Sequence, residues 1–235
     1  MNLFQAKQEI IHTGRKLWER DMVSGNEGNL SILLSDGSVL ITPSGISKGA
    51  LLSENLIHIK NGKWEVHVDS SSRITSEYKL HKAIYESGLG NSICHAHPVY
   101  ATSFSATNKG LPACLLPEII LSVGAIPLVP YAAPSTAELG SNIIPYLKEG
   151  YEAFLLQNHG VITVSDNLND AYMKMEMVEH YAKIVHLNIL RNDLKFLTSV
   201  EIAELNKIRQ ELWKKKGTVI CDVCGYCKIS QEGKK

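Results

Sequence analysis

The stretch Ile93-Cys94-His95-Ala96-His97-Pro98 constrains this chain more than any other. It reads as the last residues of a buried strand, ended by a proline whose missing N–H cannot continue a central ladder. Alternate strand residues share a face, so His95 and His97 point the same way, roughly 6–7 Å apart along the chain. Two neutral imidazoles so placed can converge on one metal ion. A lone H-x-H is more often a pair of hydrogen-bonded histidines at a strand end, so its meaning depends on what the rest of the chain brings beside it.

A chain of 235 residues has room for one large domain or two small ones, and for a substantial core. Its 44% apolar and 20% charged content is that of a globular protein. The 24 basic and 24 acidic side chains cancel, so no strong pull toward nucleic acid or a membrane surface is expected. Near-zero net charge is common in proteins that assemble. The first 20 residues mix apolar and charged side chains and lack the unbroken apolar stretch of a secretion signal. No run of 18 apolar residues offers a membrane span. Five cysteines, an odd number, argue against a secreted disulfide framework and for a reducing cytoplasm.

Leu3, Ile10, Ile11, Leu17 and Trp18 recur at helical spacing and predict an amphipathic helix over 3–22. After the turn-rich Ser24-Gly25-Asn26-Glu27-Gly28-Asn29, strand-like runs at 30–34 and 39–42 flank Asp36-Gly37, a strong hairpin signal. A second hairpin is expected from 56–59 and 64–68 around Asn61-Gly62. Thr75 or Ser76 is the expected N-cap of a helix through Tyr78, Leu80, His81, Ile84 and Tyr85, stopped by Gly88 and Gly90. Short helices at 99–107 and 117–123, a strand at 126–130 and a helix at 137–147 capped by Ser135-Thr136 follow. Strands at 153–157 and 161–164 enclose the turn Asn158-His159-Gly160, and helices at 171–190 and 200–215 come last. Hairpins without a clean βαβ repeat predict an α/β fold in which helices sandwich a central, mostly antiparallel sheet. No G-x-G-x-x-G links a strand to a helix, which argues against a Rossmann site.

His159 sits in a strand–turn–strand setting like that of the H-x-H. Alone it reads as a turn residue. Beside His95 and His97 it completes three imidazoles with a fourth position open, as in catalytic rather than structural zinc sites. Glu77 fits either a first-turn glutamate favoured by the helix dipole or an acid/base group beside a metal. Gly28-Asn29, Ser44-Gly45 and Thr75-Ser76 are small polar loops at element ends. Their N–H, hydroxyl and amide donors can cradle a phosphate, although such loops are also ordinary turns, and none is a P-loop.

These pieces occur as S-G-N-E-G-N-L-S at 24–31, I-T-P-S-G-I at 41–46, T-S-E-Y-K-L-H at 75–81, H-A-H-P-V-Y-A at 95–101, V-P-Y-A-A-P-S-T at 129–136 and L-Q-N-H-G-V at 156–161. In that order the chain resembles the class II aldolase/adducin family, which includes L-fuculose-1-phosphate aldolase and L-ribulose-5-phosphate 4-epimerase. The resemblance runs to about residue 190. It implies a three-layer α/β/α subunit with a mostly antiparallel sheet, taken here as a single domain over 1–216. Family members commonly form four-fold homotetramers with active sites at subunit interfaces.

Carried over residue by residue, the resemblance puts Zn²⁺, or another divalent metal, on His95, His97 and His159. It makes Glu77 the catalytic acid/base and places a substrate phosphate at Gly28, Asn29, Ser44, Gly45, Thr75 and Ser76. Family aldolases carry Glu at this acid/base position and the epimerases Asp. The expected activity is therefore a zinc-dependent aldolase, cleaving a ketose 1-phosphate like L-fuculose 1-phosphate to dihydroxyacetone phosphate and an aldehyde. The metal would stabilise the enediolate left when the C3–C4 bond breaks. Ketopentose-phosphate epimerisation and methylthioribulose-1-phosphate dehydration are alternatives on the same scaffold. A non-catalytic adducin-like binding module is the alternative of another class, and the intact histidines and Glu77 speak against it.

Two departures stand out. The tyrosine that some aldolases borrow from a neighbouring subunit to protonate the leaving carbon falls near Leu115-Leu116. Either Tyr100 or Tyr131 takes its place, or the aldehyde differs. Residues 217–235 form a distinct tail in which Cys221, Cys224 and Cys227 offer three thiolates, one short of a closed zinc site. They are either metal or redox ligands or incidental cysteines, and Tyr226 is a weak lid candidate.

Overall fold

The computed structural model describes residues 1–60 and 73–215. The expected strand at 64–68, with its hairpin, lies outside them, as do the boundary at 216, Cys221, Cys224, Tyr226 and Cys227.

The H-x-H strand, β4 (Ser92–Ala96), is buried at all five positions: strands flank both its edges, and its two faces look into separate apolar cores. β1 (Asn29–Leu33) lies on one side and β7 (Gly160–Ser165) on the other, both antiparallel to it. Beyond β1 come β2 (Val39–Ile41) and β3 (Ile57–Ile59); beyond β7 come β6 (Ala153–Leu156) and β5 (Leu128–Val129). The order is β3-β2-β1-β4-β7-β6-β5, and only the β5–β6 pairing is parallel. Asp36-Gly37 makes the expected hairpin turn: Gly37 takes φ +80°, and Asp36 Oδ1 accepts from Ser38 N–H at 2.9 Å.

Strand alternation divides the core in two. Leu30, Ile32, Cys94, Ala96, Ala153, Leu155 and Val161 pack with α1 (Leu3–Glu19), α3 (Val99–Ser105) and α6 (Leu168–Arg191). Ile93, Phe154, Leu156, Ile162 and Val164 pack with α2 (Tyr78–Glu86) and α5 (Ala137–Lys148). α4 (Pro117–Ser122) and α7 (Ser199–Glu211) contact one another, with Ile119 in the first core and Ile120 and Ile202 in the second. Burial on both faces explains why β4, β6 and β7 read as nearly continuous apolar runs. The three-layer α/β/α architecture expected from the sequence is the one observed.

Element ends differ from expectation for local reasons. α1 stops at Glu19, where Asp21 turns to φ +55° and Met22 N–H bonds back to Leu17 O. α6 starts at Leu168 because Asn167 accepts from Asp170 N–H at 2.9 Å. The N-cap of α2 is Glu77, not Thr75 or Ser76, and no side chain caps that end. Thr75 Oγ1 accepts instead from Glu77 N–H at 3.4 Å. Thr136 does occupy the N-cap of α5, but its hydroxyl donates to Ala133 O.

Candidate metal and carboxylate site

Three segments bring the histidines together. His95 is the fourth residue of β4, opposite Asn29 on β1 and Ile162 on β7. His97 lies just past the strand, where its N–H donates to Met22 O at 3.0 Å and Pro98 becomes the N-cap of α3. His159 follows Asn158, whose left-handed backbone (φ +56°) and N–H bond to Ser105 O shape the β6–β7 turn. Packing demands Gly160: a Cβ there would stand 2.5 Å from His97 Cδ2 and 2.8 Å from Ala96 O. The three ring centroids are 4.8, 4.9 and 5.0 Å apart.

His95 Nδ1 lies 2.8 Å from Val161 O, which only accepts, so Nδ1 carries the proton and Nε2 turns its lone pair inward. That Nε2 is 3.1 Å from His97 Nε2 and 3.0 Å from Glu77 Oε2. Glu77 Oε1 sits 3.3 Å from His159 Nε2, yet neither it nor His159 Nδ1 has a hydrogen-bond partner. Lone pairs facing lone pairs repel, and a cation shared among them, a proton or a metal ion, removes the conflict. The histidine ligand atoms all lie within 4.8 Å of one another. Ligands of a tetrahedral zinc, at about 2 Å from the ion, stand roughly 3.3 Å apart. The donor set fits a metal ion.

The electrostatics agree. Burial opposes charge on Glu77, but His95, His159 and the Asn29 Nδ2–H at 2.8 Å hold its carboxyl well below the usual range. Burial also works against a charged His95, yet the facing carboxylate lifts it above its ordinary value. His97 and His159 are lowered to about 4, by burial first and by His95 second. At neutral pH both therefore present lone pairs.

A cavity of about 210 Å³ is lined by Gly28, Asn29, Ser44, Gly45, Thr75 and Ser76 together with Glu77, His97 and His159. All six loop residues expected to hold phosphate thus meet the carboxylate and two of the histidines in one hollow. Gly28 takes φ +73°, and a Cβ on it would stand 2.8 Å from His95 O, so this loop needs glycine to close over the strand. The uncapped N-terminus of α2 adds a field that favours an anion. Tyr100 and Tyr131 do not line the hollow. Tyr100 packs edge-on against His186, and Tyr131 is exposed.

Residues 8–186 match the model of the class II aldolase and adducin N-terminal domain. The chain belongs to the class II aldolase and adducin family. It is 34% identical over 209 residues to the 3-oxo-tetronate 4-phosphate decarboxylase of Pectobacterium atrosepticum, covering 86% of this chain and 93% of that protein. It is also 34% identical over 190 residues to the L-fuculose phosphate aldolase of Methanococcus maripaludis, covering 80% of this chain and 98% of that one. The solved structure of an L-fuculose 1-phosphate aldolase superposes with a TM-score of 0.76 at 28% identity, over 89% of this chain and 96% of that chain. Relatives named as decarboxylase and as aldolase thus share the same percentage identity with this chain, the decarboxylase over the longer stretch.

The sequence reading passed over Ser31, His81, Tyr85 and Lys48 as functional residues. Ser31 Oγ is 2.6 Å from both His81 Nδ1 and Tyr85 OH, and His81 Nε2 is 2.5 Å from Asn29 Oδ1. Spacing carries the signal: positions 77, 81 and 85 recur every four residues along α2, and 29 and 31 share one face of β1. Lys48 is buried, and its Nζ donates to Asn26 O at 3.0 Å and Ile46 O at 2.8 Å, tying together the loops that carry Gly28 and Gly45. No sequence pattern marks it.

Proposed function

We propose that this chain is a divalent-metal-dependent carbon–carbon lyase that releases dihydroxyacetone phosphate from a phosphorylated sugar acid or sugar. The convergence of Glu77, His97, His159 and three polar loops on one hollow, with His95 buried behind it in the same histidine cluster, carries this reading. His95, His97 and His159 hold the ion, zinc by its affinity for imidazole. Bound there, it supplies a Lewis acid for negative charge developing on substrate oxygens. Gly28, Asn29, Ser44, Gly45, Thr75 and Ser76 bind the phosphate, whose binding energy holds the reacting carbons in place. Glu77 Oε1 moves the proton at the carbon left by cleavage.

Carbon dioxide is the leaving group that suits this chain best. A four-carbon 2-hydroxy-3-oxo acid 4-phosphate, the substrate type named for the Pectobacterium relative, loses its carboxylate as CO₂ when C1–C2 breaks and leaves the enediolate of dihydroxyacetone phosphate. No proton has to be taken from the departing half. A ketose 1-phosphate leaves the same enediolate, but the hydroxyl that becomes the aldehyde must give up its proton to some group. Leu115, near which the resemblance puts the borrowed tyrosine, is buried in the apolar core and offers no group to take that proton. The aldolase expected from the sequence is the second reading, favoured by the glutamate at 77 and by the Methanococcus relative.

The same reading takes residues 1–216 as one domain with a separate tail, working as a homotetramer with sites at subunit interfaces in a reducing cytoplasm. The buried thiol of Cys94 suits that compartment. No helix among the described residues is long and apolar enough to cross a membrane.

A panel of 3-oxo acid phosphates and ketose 1-phosphates, scored for dihydroxyacetone phosphate and for CO₂, tests the proposal. Equal amounts of both products from a 3-oxo acid phosphate are expected. Dihydroxyacetone phosphate without CO₂, from a ketose 1-phosphate alone, selects the aldolase. Epimerised or dehydrated products without dihydroxyacetone phosphate overturn both.

A further inference from the structure

The hydrogen bonds behind Glu77 have only one self-consistent direction. Glu77 Oε2 can only accept, so Asn29 turns Nδ2–H toward it, at 2.8 Å. Asn29 Oδ1 then faces His81 Nε2 at 2.5 Å, and that nitrogen must donate. His81 is fully buried, and burial lowers it to about 3, so the ring is neutral and Nδ1 holds a lone pair. Ser31 Oγ, 2.6 Å away, gives its single proton to Nδ1 and accepts from Tyr85 OH at 2.6 Å. Protons point one way, from Tyr85 through Ser31, His81 and Asn29 to the carboxylate.

We propose that Tyr85, Ser31 and His81 are positioning residues that, through Asn29, pin Glu77 Oε2 and leave Oε1 as the oxygen that moves the proton. The inference rests on the acid/base role given to Glu77 above. Ser31 and His81 are 0% exposed and Asn29 3%, in an interior where an unpaired polar group is costly. Each of them is paired along this chain. Glu77 Oε1 is the exception: it is buried, has no hydrogen bond, and lies 3.3 Å from His159 Nε2. The two oxygens of one carboxylate are therefore unlike, and the difference originates in His81. If His81 stopped donating, the Asn29 amide could turn over and set its own oxygen against Oε2. Two acceptors repel, so the carboxylate would rotate away from its working orientation. A carboxamide has two N–H bonds, so Asn29 can serve Glu77 and a phosphate together.

The direction of the chain is measurable without substrate. In the full-length, metal-loaded protein labelled with ¹⁵N-histidine, long-range N–H correlation should show His81 protonated on Nε2 alone. An Nδ1-protonated or doubly protonated ring overturns the proposal. On whichever substrate the panel identifies, His81→Leu should lower kcat about 10- to 100-fold, by a larger factor than any rise in KM, a typical cost of losing an outer hydrogen-bond partner. His81→Gln, whose amide can still donate to Asn29, should recover most of that loss. Unchanged kcat in His81→Leu, or equal losses in the Leu and Gln variants, sinks the positioning role. Should His81→Leu fail to fold, Tyr85→Phe removes only the terminal hydroxyl, and a smaller kcat loss at unchanged KM is expected. A loss that appears only in KM counts against it. If the wild-type protein cleaves no member of the panel, the proposed function falls, while the His81 tautomer still decides the direction of the chain.

Discussion

At the scale of residues, Glu77 is the pivot between the buried interior and the hollow. Its Oε2 takes bonds from Asn29 and faces His95, while its Oε1 is left with His159. Glu77→Gln keeps the shape and removes the ability to accept and return a proton. The variant is expected to be folded and metal-loaded, with exchange at C3 of dihydroxyacetone phosphate slowed about 10²-fold or more, the scale of losing a general base. Deuterium incorporation followed by NMR checks this, and wild-type exchange would take Glu77 out of the mechanism. His95, His97, His159 and Glu77 were legible in the sequence only together, through the ordered motifs that carry the family resemblance. Ser31, His81 and Tyr85 were not. Each has an adequate explanation as an ordinary core residue until β1 and α2 are seen to face one another.

Among the elements, the β6–β7 turn sets how closely the histidines approach. Gly160→Ala would drive a methyl group to 2.5 Å from His97 Cδ2 and 2.8 Å from a strand carbonyl, so the His97 ring must move. A fall in metal affinity of about 10- to 100-fold is expected, with the circular dichroism spectrum preserved. Full affinity in a folded Gly160→Ala protein would show that His97 is not held by this contact. The same turn shows what a sequence can and cannot reveal about elements. Apolar runs on both sides of Asn158-His159-Gly160 announce two buried strands, and Asp36-Gly37 announces a hairpin. The expected cap of α2 lies just upstream of the observed one: Thr75 Oγ1 accepts from Glu77 N–H in the turn before the helix begins at Tyr78. The entry into that turn is held by a distant pairing, in which Pro43 bridges Ile74 and Ser44 N–H bonds to Arg73 O at 2.7 Å. Local propensity contains no trace of it.

For the molecule as a whole, Lys48 couples the polar loops to stability. It is 1% exposed, and burial lowers its ammonium group from the ordinary 10.5 to about 8. Between those pH values the unfolded chain holds a proton that the folded chain has shed, so stability rises with pH across that window. Below about pH 8 both states are charged, and folding carries a constant cost of about 3 kcal/mol relative to pH above 10.5. Denaturant unfolding of wild type and Lys48→Met from pH 7 to 10.5 should show the wild type gaining on the variant by up to that amount. A difference that does not vary with pH would mean that Lys48 titrates normally. Three-layer architecture and family were readable from ordered motifs spread along the chain. The leaving group was not, because aldol cleavage and decarboxylation would place the same demands on the roles proposed for His95, His97, His159 and Glu77.

Elemental analysis of the purified full-length protein, beside His95→Ala and His97→Ala, tests most directly whether these histidines form a catalytic metal centre. About one divalent ion per chain is expected in the wild type. Each variant should lose metal and lyase activity together. Stoichiometric metal retained by both variants would contradict the assignment.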